Sequence, residues 1–186
     1  MIVYHIDRSF NLKEGQVIEL DKEYFKNIPH LEEPMGRYFP DGVSYHGKSM
    51  TSNSATNSIN NIRLPIIEPF FEMVRLKSFP TMPSRYQVLF AVDYLKDIEL
   101  WKADMLAKNV PFKVFEIEVH KSSMLRLDAR WLDYGIEQTN DSLSLEPHTL
   151  MANAYQYWAK KSHKQPKHEV LLSLPVTIGK EVNYSV

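Results

Sequence analysis

The sequence predicts an α+β fold in one domain, residues 1–186, and three observations carry that expectation. Apolar residues run or alternate in strand fashion near the start, in the middle and near the end of the chain, with helix-spaced stretches between. Strand, helix and strand follow one another directly only once, unlike the regular alternation of a doubly wound sheet. The six glycines form neither G-x-G-x-x-G nor a Walker A run, which disfavours the Rossmann and P-loop classes. With 44% apolar residues, a chain of this length buries a real core.

Residues 2–6 are a short apolar strand, and residues 21–27 a brief helix with Asp21 as its N-cap. Pro34, Gly36, Pro40, Gly42 and the uncharged, Ser/Asn-rich stretch 49–61 make residues 29–62 a surface insertion or loop. Ile67, Phe70, Phe71 and Val74 predict a helix over 62–77, with Pro65 and Pro69 at or near its first turn. Residues 86–92 are nearly all apolar, as in a strand buried on both faces. Asp93 caps a helix to about 108, whose apolar face is Tyr94, Ile98, Trp101 and Met105. In the strand at 112–119, Phe115, Ile117 and Val119 alternate with Glu116 and Glu118. A helix over 149–162 carries Leu150, Ala154, Tyr157 and Trp158 on one side. The last strand, 170–178, contains Pro175, which predicts an edge or a bulge.

Charge and composition narrow the function. The 22 basic and 23 acidic side chains leave a net charge of −1, so this is not a wholesale polycation. The absence of cysteine removes disulfides, thiolate catalysis and Cys-ligated metals. There is no apolar run long enough for a membrane span, and the N-terminus reads as neither signal nor transit peptide. A cytoplasmic protein that does not engage membranes is expected. Neither G-x-S-x-G nor H-E-x-x-H occurs, and the five-residue spacing of His163 and His168 beside Glu169 does not suit a metal. No metal is expected.

The candidate chemistry lies at strand mouths, where the backbone fixes an ionisable group. His5 and Arg8 mark the first strand, Ser84-Arg85-Tyr86 open the middle one, and Glu169 opens the last. Taken singly, each fits an ordinary core or ion-pair role. Lys160, Lys161, Lys164 and Lys167 cluster just before Glu169 with no acid among them, a basic run suited to a polyanion or to a solvated helix end.

The segments V-Y-H (3–5), L-F-A-V-D-Y-L-K-D-I-E-L-W (89–101), F-K-V-F-E-I-E-V (112–119) and H-E-V-L-L (168–172) together resemble the ADP-ribosyltransferase superfamily. The likeness is greater to its diphtheria-toxin and poly(ADP-ribose)-polymerase branch and to DarT-type nucleic-acid-modifying toxins. It spans both ends and the middle of the chain but not 29–62 or 121–147. It implies a split mixed β-sheet core with flanking helices, NAD as co-substrate and Glu169 as the catalytic carboxylate. It also implies NAD contacts from His5, Ile6, Arg8, Arg85 and Tyr86. His5 meets a ribose hydroxyl, the Ile6 backbone the carboxamide, and Arg85 a phosphate. The family tyrosine that stacks on nicotinamide aligns with Leu89, so Tyr86 or another aromatic has to replace it.

The chemistry implied is cleavage of the nicotinamide–ribose bond through an oxocarbenium-like centre, stabilised by Glu169. The expected activity is mono-ADP-ribosylation by an intracellular toxin. Nucleic acid, held by Lys160, Lys161, Lys164 and Lys167, is slightly favoured over protein as acceptor, and an antitoxin or inhibitor protein is the expected partner. The alternatives are a protein-directed transferase, an NAD glycohydrolase, or an inactive binding module of the same fold.

Overall fold

The computed structural model describes residues 1–51, 63–106, 111–138 and 142–184. Its class is α+β. Two three-stranded sheets form the framework. In the first, β1 (Ile2–Asp7), β4 (Lys113–Glu118) and β10 (Glu181–Val182) run in the order β1-β4-β10. In the second, β3 (Val88–Ala91), β8 (His168–Ser173) and β5 (Met124–Asp128) run in the order β3-β8-β5. Reciprocal backbone bonds between Tyr4 and Val92, 2.9 and 2.8 Å, join the two. All the ladders are antiparallel among the described residues, where a mixed sheet was expected. Smaller ladders join β2 (Val17–Ile18) to β9 (Val176–Thr177), and β6 (Ile136–Gln138) to β7 (Leu143–Leu145).

Strand β8 is covered on both faces, which explains its unbroken apolar run. Val170 and Leu172 pack with Val3, Phe115, Ile117 and Ile178 against the first sheet. Leu171 points the other way, into a core built by α3 (Arg63–Ser78) and α5 (Pro147–Trp158) with Ile67, Phe71, Leu150, Tyr157 and Trp158. Glu169 shares that face by the two-residue period.

Several elements differ from the sequence expectation. The strand with the catalytic candidate is central, not an edge, because Pro175 lies beyond its last residue. Conversely β3 ends its own ladder, and Leu89 and Phe90 are only half-buried. Residues 29–51 are not an irregular insertion: they form α1 (Pro29–Tyr38) and α2 (Tyr45–Thr51). Pro29 occupies the first turn of α1, where a missing N–H costs nothing. The rest of the Ser/Asn-rich stretch, 52–61, lies outside the described residues. Asp21 caps no helix but bridges to Val43, and a single 3₁₀ turn follows at Phe25–Asn27. Pro69 sits inside α3 and removes one backbone bond there. Asp93 pairs with Arg126 at 2.6 Å rather than capping; α4 (Ile98–Leu106) begins later, and residues 107–110 lie outside the described residues.

Candidate functional site

The site grows from two carboxylates one turn apart on α3. Glu68 and Glu72 share the buried face of that helix with Ile67, Phe71 and Val74. Burying a carboxylate is costly unless it is paired and hydrogen-bonded, and both are. Glu72 accepts from the Ser84 hydroxyl at 2.9 Å, and Ser84 in turn accepts from Tyr86 N, capping the 3₁₀ turn Arg85–Gln87. The turn aims Arg85 back under the helices, where its Nε and Nη2 form a fork on Glu68, at 2.9 Å to Oε2 and Oε1 respectively.

The remaining arm of Arg85 reaches β8. Nη1 donates to Glu169 Oε1 and to the Tyr157 hydroxyl, both at 2.5 Å. The Tyr157 hydroxyl donates to the same Oε1 at 2.7 Å. Glu68, Arg85, Tyr157 and Glu169 are all at most 4% exposed. Every bond that Glu169 makes through its carboxylate falls on Oε1, so Oε2 takes none from the described residues. The Phe90 ring lies 4.6 Å from the guanidinium carbon and adds a cation–π contact.

His46 on α2 completes the cluster, with Nε2 3.1 Å from Glu68 Oε1 and its ring edge-on to Phe90. Helix α2 comes this close because residue 47 is glycine. A Cβ there would sit 2.4 Å from the Tyr86 carbonyl oxygen, which Ser44 also binds through N and Oγ. Burial opposes charge on Glu68, yet Arg85 and His46 outweigh it and hold the carboxyl at about 2. Burial pushes the Tyr157 phenol well up, so it is a donor at neutral pH. Burial also disfavours the Arg85 cation, but Glu169 and Glu68 reverse this and raise it.

His5 meets the cluster through Phe90, whose carbonyl lies 2.6 Å from its Nδ1. A carbonyl only accepts, so Nδ1 carries the proton and a neutral ring leaves Nε2 as an acceptor. Burial lowers the His5 pKa and favours that neutral form. His5, Arg85 and Glu169 are therefore brought around one residue, Phe90, and its ladder partner Leu171.

Other expected site residues are placed differently. Arg85 is turned inward rather than toward a phosphate: its Nε and Nη2 donate to Glu68, its Nη1 to Tyr157 and Glu169, and the residue is 4% exposed. Tyr86 is buried and stacks on Phe39 at 5.1 Å, in a core with Phe25 and Val43, so its ring is not available to stack on a nicotinamide. Ile6 packs with Val92, Ile98 and Val114, and Arg8 is exposed beyond β1. Lys167 is not a surface cation; it is buried, with its ammonium 4.2 Å from the Trp101 ring. Lys160, Lys161 and Lys164 are exposed. The sequence reading missed His46, Glu68 and Glu72. The last two carried a signal: carboxylates four apart on the apolar face of a predicted helix.

No helix among the described residues is long and apolar enough to cross a membrane, and no group of three or more His, Asp or Glu in them is arranged to hold a metal ion. No curated protein matches the sequence. A family described as "protein of unknown function (DUF2441)" matches residues 3–184. The match covers nearly the whole chain, and the protein belongs to that family.

Proposed function

We propose that this protein is an NAD-consuming mono-ADP-ribosyltransferase that modifies nucleic acid, releases nicotinamide and acts as an intracellular toxin with an inhibitor protein as partner. The observation that carries the reading is Glu169. It is a carboxylate at the mouth of a central strand, clamped on Oε1 by Arg85 and Tyr157, with Oε2 taking no bond from the described residues. The motif resemblance at both ends and the middle of the chain supports the same assignment.

The residues fit NAD in two respects: Glu169 Oε2 and His5 Nε2 are acceptors that meet no donor among the described residues, matched to sugar hydroxyls. NAD supplies a cationic leaving group, so its departure needs no general acid. Glu169 accepts a ribose hydroxyl on Oε2 and stabilises positive charge at the sugar carbon, while Arg85 and Tyr157 keep the carboxylate from rotating. His5 accepts a second hydroxyl, and the Ile6 backbone and Arg8 line the same strand end. Phosphate recognition passes from Arg85 to groups nearer the surface.

The depth of Glu169, 3% exposed, favours a second reading. Water reaches such a carboxylate more readily than a base does, which gives an NAD glycohydrolase of the same architecture. One assay separates the two. Labelled NAD is incubated with single-stranded RNA, single-stranded DNA and cell protein, beside Glu169→Gln. Transfer predicts label on nucleic acid, reduced about 10²–10³-fold in the variant. Nicotinamide release without a labelled acceptor selects the glycohydrolase, and intact NAD contradicts both. A thermal melt of the variant excludes unfolding, since a glutamine oxygen still accepts from Arg85 and Tyr157.

A further inference from the structure

Between the end of β5 and the turn after α5 lies a cavity of about 150 Å³, lined by Arg126, Asp128, Lys160, Lys161 and His168 among others. We propose that it binds single-stranded nucleic acid, with backbone phosphates on Arg126, Lys160 and Lys161 and a base against Tyr134. The proposal rests on the transferase reading for what the strand does there, as acceptor, but not for whether it binds.

The charge is available. The Arg126 side chain is 46% exposed, with its Nε 2.6 Å from Asp93 Oδ2. The ammonium groups of Lys160 and Lys161 are exposed and meet no carboxylate among the described residues. The acid in the lining does not cancel them. Asp128 accepts from the backbone of Arg130 at 3.0 Å, Lys167 at 2.8 Å and His163 at 2.7 Å, so its charge is already met by three N–H groups.

The turn that presents the lysines is built rather than frayed. Helix α5 closes with Lys160 N on the Tyr157 carbonyl and Lys161 N on the Gln156 carbonyl, both 3.0 Å. This is a Schellman arrangement, and Lys160 holds its left-handed position at φ 57°. Glycine is favoured there, and a side chain costs conformational energy. Fold stability alone does not call for lysine. The turn is then tied down: Trp131 Nε1 donates to the Lys161 carbonyl at 2.7 Å and Arg130 Nε to the Gln165 carbonyl at 3.0 Å.

Aromatic surface adjoins the cations. His163 lies between Trp131, edge-on at 5.2 Å, and Tyr134, tilted 31° at 5.3 Å, and Tyr134 is 42% exposed. Cations beside an open aromatic face suit an unpaired strand, whose bases are free to stack; a duplex hides those faces. Leu127 pairs with Glu169 and Asp128 with His168, so the cavity adjoins the backbone of the catalytic strand, while Arg126 and Asp128 project from the face of β5 opposite to Leu127 and Glu169.

The test is fluorescence anisotropy of a labelled twelve-nucleotide RNA on the full chain carrying Glu169→Gln, without NAD, across a salt series. Three phosphate contacts predict a slope of log affinity against log salt of about −2 for a single strand. Lys160→Gly and Lys161→Ala each reduce that slope by about 0.7. Lys160→Gly relieves the left-handed backbone, so its melting temperature holds or rises while binding weakens, a pairing that a structural lysine does not give. Tyr134→Ala weakens binding roughly 5- to 100-fold with the slope unchanged. A slope that the lysine variants leave unchanged overturns the site, as does equal affinity for the duplex or for a phosphopeptide. Strand binding as predicted, with no transfer by the unaltered chain, keeps the site and sinks the transferase. Transfer that survives both lysine changes undiminished does the reverse.

Discussion

Helix α3 buries two arginines against two carboxylates one turn apart, and the two pairs are built differently. Arg75 meets Glu72 through Nε and Nη2 at 3.0 and 2.8 Å, and spends Nη1 on the carbonyls of Pro80 and Met82. One cation faces one anion, and the remaining bonds tie the end of the helix to the turn before Ser84. Arg85 instead lies between two carboxylates, Glu68 and Glu169, with a phenol on the second. A clamp needs no surplus of carboxylates, and buried charge is a weak source of stability. The second carboxylate sets the Arg85 cluster apart from the Arg75 pair, and Glu169 Oε2 takes no bond there from the described residues.

The sharpest way to break this comparison is to remove each arginine. Arg85→Leu leaves two buried carboxylates uncompensated and destabilises the fold by about 3–5 kcal/mol. Arg75→Leu leaves Glu72 with the Ser84 hydroxyl and costs roughly 2–3 kcal/mol. Urea unfolding of the two variants gives the order, and equal losses would erase the distinction.

Acid titration sharpens it. The Glu68 carboxyl falls from 4.5 to about 2 on folding, so its contribution is complete above 4.5 and is lost as the pH falls from there to about 2. The difference is worth on the order of 3 kcal/mol. Urea midpoints measured at successive pH values fall over that window, and Glu68→Gln flattens the fall. His5 acts in the same direction at higher pH: its lowered pKa makes stability decline as the pH drops below 6.5, and His5→Gln removes that slope.

Smaller effects follow at the edges of the cluster. Gly47→Ala forces α2 off the Tyr86 carbonyl and costs about 1–3 kcal/mol, with the His46 imidazole signals shifting in NMR. Arg37→Ala, at a surface pair with Glu33 in which both side chains are 77% exposed, changes stability by no more than about 0.5 kcal/mol.

The sequence made parts of this legible for identifiable reasons. Strands with one neighbouring pattern, such as 112–119, and helices with clear periodicity, such as the one ending at Trp158, need only local information. The rank of a strand within its sheet does not come from local pattern: Pro175 suggested an edge, yet β8 is central because the chain turns just before that proline. Residues 29–51 read as loop because Pro34 and Gly36 are poor helix interiors, while tertiary contacts of Phe39, Val43 and Tyr86 decide their structure. Glu169 and Arg85 were both visible as strand-mouth residues, but that one holds the other was not. That pairing depends on Glu68, whose carboxylate was hidden in an apolar helix face and is read only through its partner.

The most direct measurement of the central claim is the mass of a short single-stranded RNA after incubation with the protein and unlabelled NAD. The account predicts a product heavier by one ADP-ribose unit, formed by the unaltered chain and at least a hundredfold more slowly by a folded Glu169→Gln. Unmodified strand beside undiminished NAD, or equal modification by the variant, would contradict it.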